Sequence, residues 1–397
     1  MNKNKIVLLL GFAGFIVMAD NWVVSPILPA IGGNLGIDIA KAGLLITAYM
    51  IPFGIFQIIF GPLADRYGKK QVITFSMIMF AVAAALCAVG TGLTNLAIYR
   101  ALTGIFAASV MPISLALIGD VFPVQERQSA IGTFMGISFL GQGLSMVIGG
   151  TIAFIFNWRG VFGIYALISI IPVILLIRNY KALPSEKNPD SLIIKPYLKL
   201  LGTSRSLFTY LLVLLEGLFI IGSFSYIGSF IAEIYHFNNL FIGLIMTAFG
   251  IMTVIGGRAG GKLAQRTGAR KILSIGLLSA AAADLIIFFL GNNLFLLIIG
   301  VALLGLGFIF THSTLLTRAT EFAQKARGSA MSLVAFFFMG GGGIGTAIGG
   351  RLIADSGLER LFIVYGIALV LTLLASFLLI RDHVVEEDEK KEEVGNL

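Results

Sequence analysis

The sequence predicts an all-α membrane protein of twelve transmembrane helices, arranged as two pseudo-symmetric six-helix bundles. Three observations carry that prediction. The 397 residues are 57% hydrophobic and only 12% charged, with a mean hydropathy of +0.96, a balance outside the range of soluble packing. The 28 Lys and Arg and 20 Asp and Glu gather in short clusters. Between them run apolar stretches of about 20 residues, the length at which an α-helix crosses about 30 Å of hydrocarbon. Finally, the second half repeats the first at a spacing of 200 residues.

In order, the expected spans are residues 6–30, 39–60, 71–92, 94–119, 129–156, 160–177, 207–232, 239–260, 272–291, 293–316, 328–353 and 360–380. The first follows Lys3 and Lys5 as a signal peptide would. Ile6 to Ala30 is nevertheless too long for such a region, holds Asp20 and offers no cleavage site before Pro26 and Pro29, so it reads as a retained helix. The second span ends at the cluster around Arg66, the third runs through Cys87, the fourth carries Arg100 and stops at Asp120, the fifth is rich in glycine, and the sixth ends at Arg178. Residues 179–206 then bring Pro184, Pro189, several lysines and a short amphipathic stretch, Ser191 to Leu201, suited to a membrane surface. The next six spans carry Glu216, Arg258, Asp284, His312, a second glycine-rich run and a closing apolar segment. The organisation is therefore an N-terminal bundle over 1–178, a cytoplasmic linker over 179–206, a C-terminal bundle over 207–381 and a disordered cytoplasmic tail over 382–397, whose end is mostly Glu and Lys with no aromatic residue.

Charge sets the orientation. With an even number of spans both termini share one side, and the segments on that side hold 22 of the 28 basic residues, against Lys41, Arg159, Arg351 and Arg360 on the other. Cytoplasmic loops carry such an excess, so both termini are expected in the cytoplasm of a multi-pass cell-membrane protein. The positive balance reflects topology and predicts no nucleic-acid partner. The lone Cys87 excludes a disulfide within one chain, and three scattered histidines give no metal-ligand cluster. No GxxxxGK[ST] phosphate loop occurs and nothing resembles a hydrolytic triad or redox centre, so neither an ATP-driven pump nor an enzyme is expected. No cofactor is expected beyond a proton as coupling ion.

The repeat has a clean register. Gly61, Leu63, Ala64, Arg66 and Gly68 recur as Gly261, Leu263, Ala264, Arg266 and Gly268; Arg127, Ser129 and Ala130 recur as Arg327, Ser329 and Ala330; Phe162 and Tyr165 recur as Phe362 and Tyr365. Six spans per half give both halves one orientation, as in two bundles that rock about a midplane cavity.

The segment from Gly61 to Lys70, Gly-Pro-Leu-Ala-Asp-Arg-Tyr-Gly-Lys-Lys, resembles the signature of the major facilitator superfamily, and its second copy from Gly261 to Arg270 supports the resemblance, which covers the chain apart from its tail. The resemblance implies the major facilitator fold, transport by alternating access, a small-molecule substrate and a monomer in the lipid bilayer. Gly61, Asp65, Arg66 and Gly68, with Asp120 as partner for Arg66, are expected to hold the cytoplasmic side shut, together with Gly261, Arg266 and Gly268; service to topology alone is the other reading. Gln265 replaces the acid in the second copy, implying a weaker gate.

Leu96 to Gly104, with Arg100, is similar to the motif linked to proton transfer in drug:proton antiporters, and Asp20 looks like the first-span acid of the twelve-span group. At 1.5 Å per residue Asp20 lies about 22 Å from one end and Arg100 about 9 Å from the other, so the two share one level. A charge there is expensive unless paired or reached by water. Arginine and desolvation act on the acid's proton in opposite senses, so alternating exposure can switch it; a static lock between helices is the alternative. Glu216, about 14 Å into its span with no base within a helical turn, is a second proton-coupling and substrate-binding candidate, or else a carboxyl bonded to a neighbouring helix. Asp284 sits in a span that is peripheral in the resembling fold. Arg258 and His312 read as gate or snorkelling residues nearer the cytoplasmic ends.

Span five carries Gly132, Gly136, Gly141, Gly143, Gly149 and Gly150, resembling an exporter motif, but Ser145-Met146 stands where that motif has Gly-Pro. The 32 Phe, 12 Met and 2 Trp offer an apolar cavity lining, with Asn21 and Trp22 beside Asp20 as the nearest substrate contacts. The expected function is proton-coupled efflux of a hydrophobic or amphipathic small molecule. An importer or facilitator of a sugar, metabolite or lipid is the near alternative, and a membrane sensor without transport the distant one.

Overall fold

The computed structural model describes residues 3–184, 187, 195–322 and 327–379, and among them twelve helices are long and apolar enough to cross a membrane. They are α1 (Lys3–Trp22, continued by Val24–Leu35), α2 (Ile39–Tyr67), α3 (Lys69–Ala88), α4 (Leu93–Val121), α5 (Val124–Ile155), α6 (Trp158–Arg178), α7 (Ser206–Tyr235), α8 (Asn239–Thr267), α9 (Ala269–Leu290), α10 (Leu294–Glu321), α11 (Arg327–Ser356) and α12 (Leu358–Leu379). The described residues form no strand. The tail and Ser191 to Ile194 lie outside the described residues; Lys195–Leu201 is a short helix whose Tyr197 hydroxyl donates to the Ile58 carbonyl of α2 at 3.2 Å. Burial there pushes the Tyr197 phenol up, against the hydroxyls of Ser332 and Ser329.

Four of the described spans are interrupted: α2 briefly at Gly43, between Ile39–Ala42 and Leu44–Tyr67, and α1, α4 and α7 each for a local reason. Proline lacks an N–H and its ring clashes with the carbonyl four residues back. Pro26 therefore breaks α1 at Trp22–Val23, and Pro112 breaks α4 at Ala108–Ser109. In α7 the residues Gly217–Ile221 wind as a π-turn directly after Glu216. Both copies of the glycine-and-charge motif end their helix the same way: Gly68 and Gly268 adopt φ of 103° and 88°, a region open to glycine, and α3 and α9 start one residue later.

The packing is pseudo-symmetric. In the first half α1 lies on α5, α2 on α4, and α3 on α6; in the second α7 lies on α11, α8 on α10, and α9 on α12. The halves meet through α1 with α7, α2 with α11, and α5 with α8. These meetings concentrate at the end away from the N-terminus. There Ser25 Oγ donates to the carbonyls of Phe224 and Ser225 at 2.7 and 3.1 Å, and Thr47 Oγ1 to that of Gly343 at 2.9 Å. Small residues permit the approach: a Cβ on Gly150 would collide with the Asn239 carbonyl, and one on Gly250 would stand 2.7 Å from that of Gly143.

The same helix face shows where the halves part. Residues seven apart share a face of an α-helix, so Gly136 lies below Gly143 and Gly150 on the side of α5 that touches α8. Among the described residues a Cβ on Gly136 or Gly132 would nevertheless meet nothing within 4 Å, and Arg258 on α8 is exposed. The molecule is closed at the end opposite the N-terminus and cleft towards the basic end.

If close approach at Gly150 holds the closed end, Gly150→Val will pry it open. In a Cys87→Ser background with Ile46→Cys as reporter, the valine should raise labelling of the buried cysteine by a polar maleimide several-fold; unchanged labelling would show that the approach is dispensable.

Candidate functional site

Asp20 stands two residues before the break in α1, and α4 brings Arg100 to the same depth. Arg100 Nη1 donates to Asp20 Oδ2 at 2.8 Å and Nη2 lies 3.4 Å from the Asp20 carbonyl, with the side chains 1% and 0% exposed. The guanidinium sits 4.3 Å from the ring centroid of Tyr49 on α2 and 5.5 Å from that of Phe162 on α6, two cation–π contacts inside the bundle. Among the described residues Asp20 Oδ1 and Arg100 Nε have no hydrogen-bond partner. A buried pair with unsatisfied atoms does little for stability, which makes a function for it the better account. Sequence reasoning anticipated the pair and missed Tyr49, although Tyr49 and Phe249 occupy matching repeat positions, each with its carbonyl against a glycine of the helix packed on it, Gly104 of α4 and Gly305 of α10.

Asn21 and Trp22 line a cavity between α1, α2 and α7 with Ser25, Met50 and Ile221. From Trp22 an aromatic series crosses into the second half. Its ring lies 5.1, 5.5 and 5.7 Å from those of Phe224, Phe249 and Phe308; Phe308 stacks on His312 at 5.3 Å, and His312 meets Phe338 at 4.6 Å.

That series ends on Glu216, where the structure corrects the expectation of an acid without a basic neighbour. His312 Nδ1 of α10 lies 3.2 Å from Glu216 Oε1 and 3.4 Å from Oε2. The helices bring together residues 96 apart in sequence, a contact hidden from a search within one helical turn. His312 is thereby moved from gate residue to partner of Glu216; Arg258 remains an exposed residue of α8. Asp284 does not face lipid: it is fully buried, accepts from Ser223 Oγ of α7 at 2.5 Å and packs against Gly366 of α12.

At the basic end, Asp120 pairs with Lys69 at 2.6 Å, not with the expected Arg66. Because Gly68 starts α3 at once, Lys69 falls in its first turn beside the end of α4, whereas Arg66 lies over the ring of its neighbour Tyr67 at 5.9 Å. Arg127 Nη2 donates to the Gly119 carbonyl at 2.6 Å. Asp65 belongs to the last turn of α2; Gly61 and Gly261 lie within α2 and α8, and Arg266 in the last turn of α8. Lys70 donates to the Leu183 carbonyl of the linker at 3.2 Å, and Arg270 Nη2 of α9 to the Phe377 carbonyl of α12 at 2.9 Å, so these partnered charges lie within one bundle or against the linker and do not bridge the two bundles across the cleft.

The profile of the Major Facilitator Superfamily matches residues 10–239 and 218–396. The chain belongs to the major facilitator superfamily. It is 29% identical over 348 residues to the uncharacterized MFS-type transporter YceJ of Bacillus subtilis, covering 85% of this chain and 86% of the relative. Over 167 residues, 42% of this chain and 31% of the other, it is 35% identical to the multidrug transporter protein MdtP of the same organism. In fold it is similar to a bacterial homologue of the human lysosomal transporter Spinster, solved inward-facing and unoccupied, with a TM-score of 0.78 and 16% identity over 95% of this chain and 96% of that one. This major facilitator transporter is a multi-pass membrane protein and not an enzyme.

Removing one member of a buried pair strands the other charge at about 3–5 kcal/mol. Arg100→Met should lower the thermal midpoint, read through reaction of a dye with the otherwise buried Cys87, and adding Asp20→Asn should recover most of the loss. A double variant no more stable than Arg100→Met would show that charge imbalance is not the cause.

Proposed function

We propose that the transporter exports a hydrophobic or amphipathic small molecule in exchange for protons, working in the cell membrane as a monomer, with both termini in the cytoplasm and no cofactor but the coupling proton. The observation that carries this reading is the incompletely bonded Asp20–Arg100 pair, one residue from the cavity lined by Asn21 and Trp22. The partial similarity to a multidrug transporter supports the same class.

With the basic end in the cytoplasm, the cleft between α5 and α8 admits substrate from inside, and the aromatic series from Trp22 to Phe338 gives it an apolar wall. Asp20 lies on the same helix as Ser25, whose hydroxyl ties α1 to α7 at the closed end. A proton on Asp20 cancels the charge that holds Arg100. Loss of that bond frees the segment before the proline break to move relative to Ser25, linking proton occupancy to which end is open. Glu216, at the far end of the aromatic wall, is the second carboxyl within reach of a bound molecule. Asp65 and Arg66 with their second-half counterparts remain candidates for a gate that forms when the basic end closes.

In proteoliposomes with an imposed pH gradient, the wild type should move a lipophilic fluorescent compound against its gradient, and Asp20→Asn should abolish this while leaving the protein monodisperse. Full pH-driven transport by that variant would remove Asp20 from the coupling mechanism.

A further inference from the structure

Two buried acids lie near the two ends of the aromatic series, and their partners differ in strength. Asp20 is held by a guanidinium at 2.8 Å that is itself clamped between two rings. Glu216 is held only by an imidazole, at 3.2 and 3.4 Å, and its Oε1 has no partner in hydrogen-bond geometry. Charge-assisted bonds shorter than 3 Å are the strong ones; a bond near 3.4 Å is weak and exchangeable.

The accessibility of this second pair is also graded. Glu216 is fully buried, whereas the side chain of His312 is 20% exposed, so His312 covers the carboxylate. The His312 ring lies against Phe308 and Phe338, at 5.3 and 4.6 Å between centroids. Phe308 continues to Trp22, which borders the cavity. A planar nitrogen-bearing ring therefore lies beside two aromatic rings that also touch each other, with its nitrogen on a carboxylate. Those are the contacts that an alkylammonium makes when aromatic rings and an acid recognise it.

We propose that Glu216, Phe308 and Phe338 form a recognition site for the positively charged amine of an organic substrate, and that His312 is a tethered occupant which the amine displaces. This deepens the efflux reading, on which it rests for the cleft being a substrate path, by assigning cationic amphiphiles as the preferred class. The π-turn at Gly217–Ile221 belongs to the same site: it follows Glu216 directly, and Gly217 lets α7 touch the backbone of Phe338, bringing the helix that carries the acid beside the one that carries the ring. Exchange also avoids stranding a charge. Glu216 keeps one donor before binding and a full cation afterwards, while His312, already part exposed, turns to the cleft.

The test is equilibrium binding to the purified full-length chain by calorimetry, without a pH gradient. The probes are 4-phenylbutyl-trimethylammonium and the uncharged isostere in which carbon replaces the nitrogen. The wild type should bind the cation about tenfold more tightly than the isostere, the scale of a desolvated cation–aromatic and carboxylate contact. Glu216→Gln should remove that preference and leave isostere binding unchanged. His312→Phe, which keeps a ring against Phe308 and Phe338 but deletes the competing nitrogen, should tighten the cation alone, and His312→Leu serves if the phenylalanine variant does not fold. Equal binding of the two probes, no binding of the cation, equal weakening of both by Glu216→Gln, or no tightening on removal of the imidazole would each overturn the proposal. Failure of Asp20→Asn to uncouple transport is a separate result, because coupling plays no part in this binding measurement.

Discussion

Hydrocarbon cannot solvate a charge, so every ionisable side chain at depth must be met by another part of the protein. In this transporter that requirement determines which helices are neighbours. Arg100 draws α4 towards α1 and takes two aromatic faces from α2 and α6; His312 joins α10 to α7; Ser223 joins α7 to Asp284 on α9. The three acids are met by three different groups, a guanidinium, an imidazole and a hydroxyl. The first contact is firm enough to order a bundle, and the second is loose enough to exchange.

Close approach is the complementary device. Lipid tails are as apolar as leucine, so helices here gain little from hydrophobic burial and depend on fit. The glycines of α5 and α8 supply that fit at one end of the interface, while the same face is vacant at the other end. A contact made by small residues and a few carbonyl-directed hydroxyls, such as Ser25 and Thr47, can be unmade without exposing a charge. At the basic end Lys69 with Asp120 ties helices of the first bundle and Arg270 with Phe377 ties helices of the second, which allows each bundle to move as a unit.

Much of the fold was legible because apolar length, charge clustering and the 200-residue repeat are one-dimensional signals. The Asp20–Arg100 contact was legible for the same reason: two isolated charges in apolar runs were compared by depth. His312 was misjudged because α10 runs to Glu321 and not to the expected 316: from the observed end it lies about 14 Å in, near the level of Glu216, whereas the expected end put it only about 6 Å in. Asp284 shows the limit of that arithmetic. Depth says nothing of rotation about the helix axis, and only the neighbours of α9 reveal that its acid turns inward to Ser223. Asp120 was assigned to Arg66 by motif, yet the one-residue turn at Gly68 decides which cation stands beside α4.

The π-turn in α7 has a further consequence. A wider turn changes the phase of the helix, so side chains after Ile221 emerge about a hundred degrees away from where an uninterrupted α-helix would send them. The half of α7 nearer its start can therefore present Glu216 to α10 and α11, while the other half presents Phe224 and Ser225 to α1. One continuous span thus has two separately oriented faces, and a twist confined to five residues could turn one face without disturbing the other.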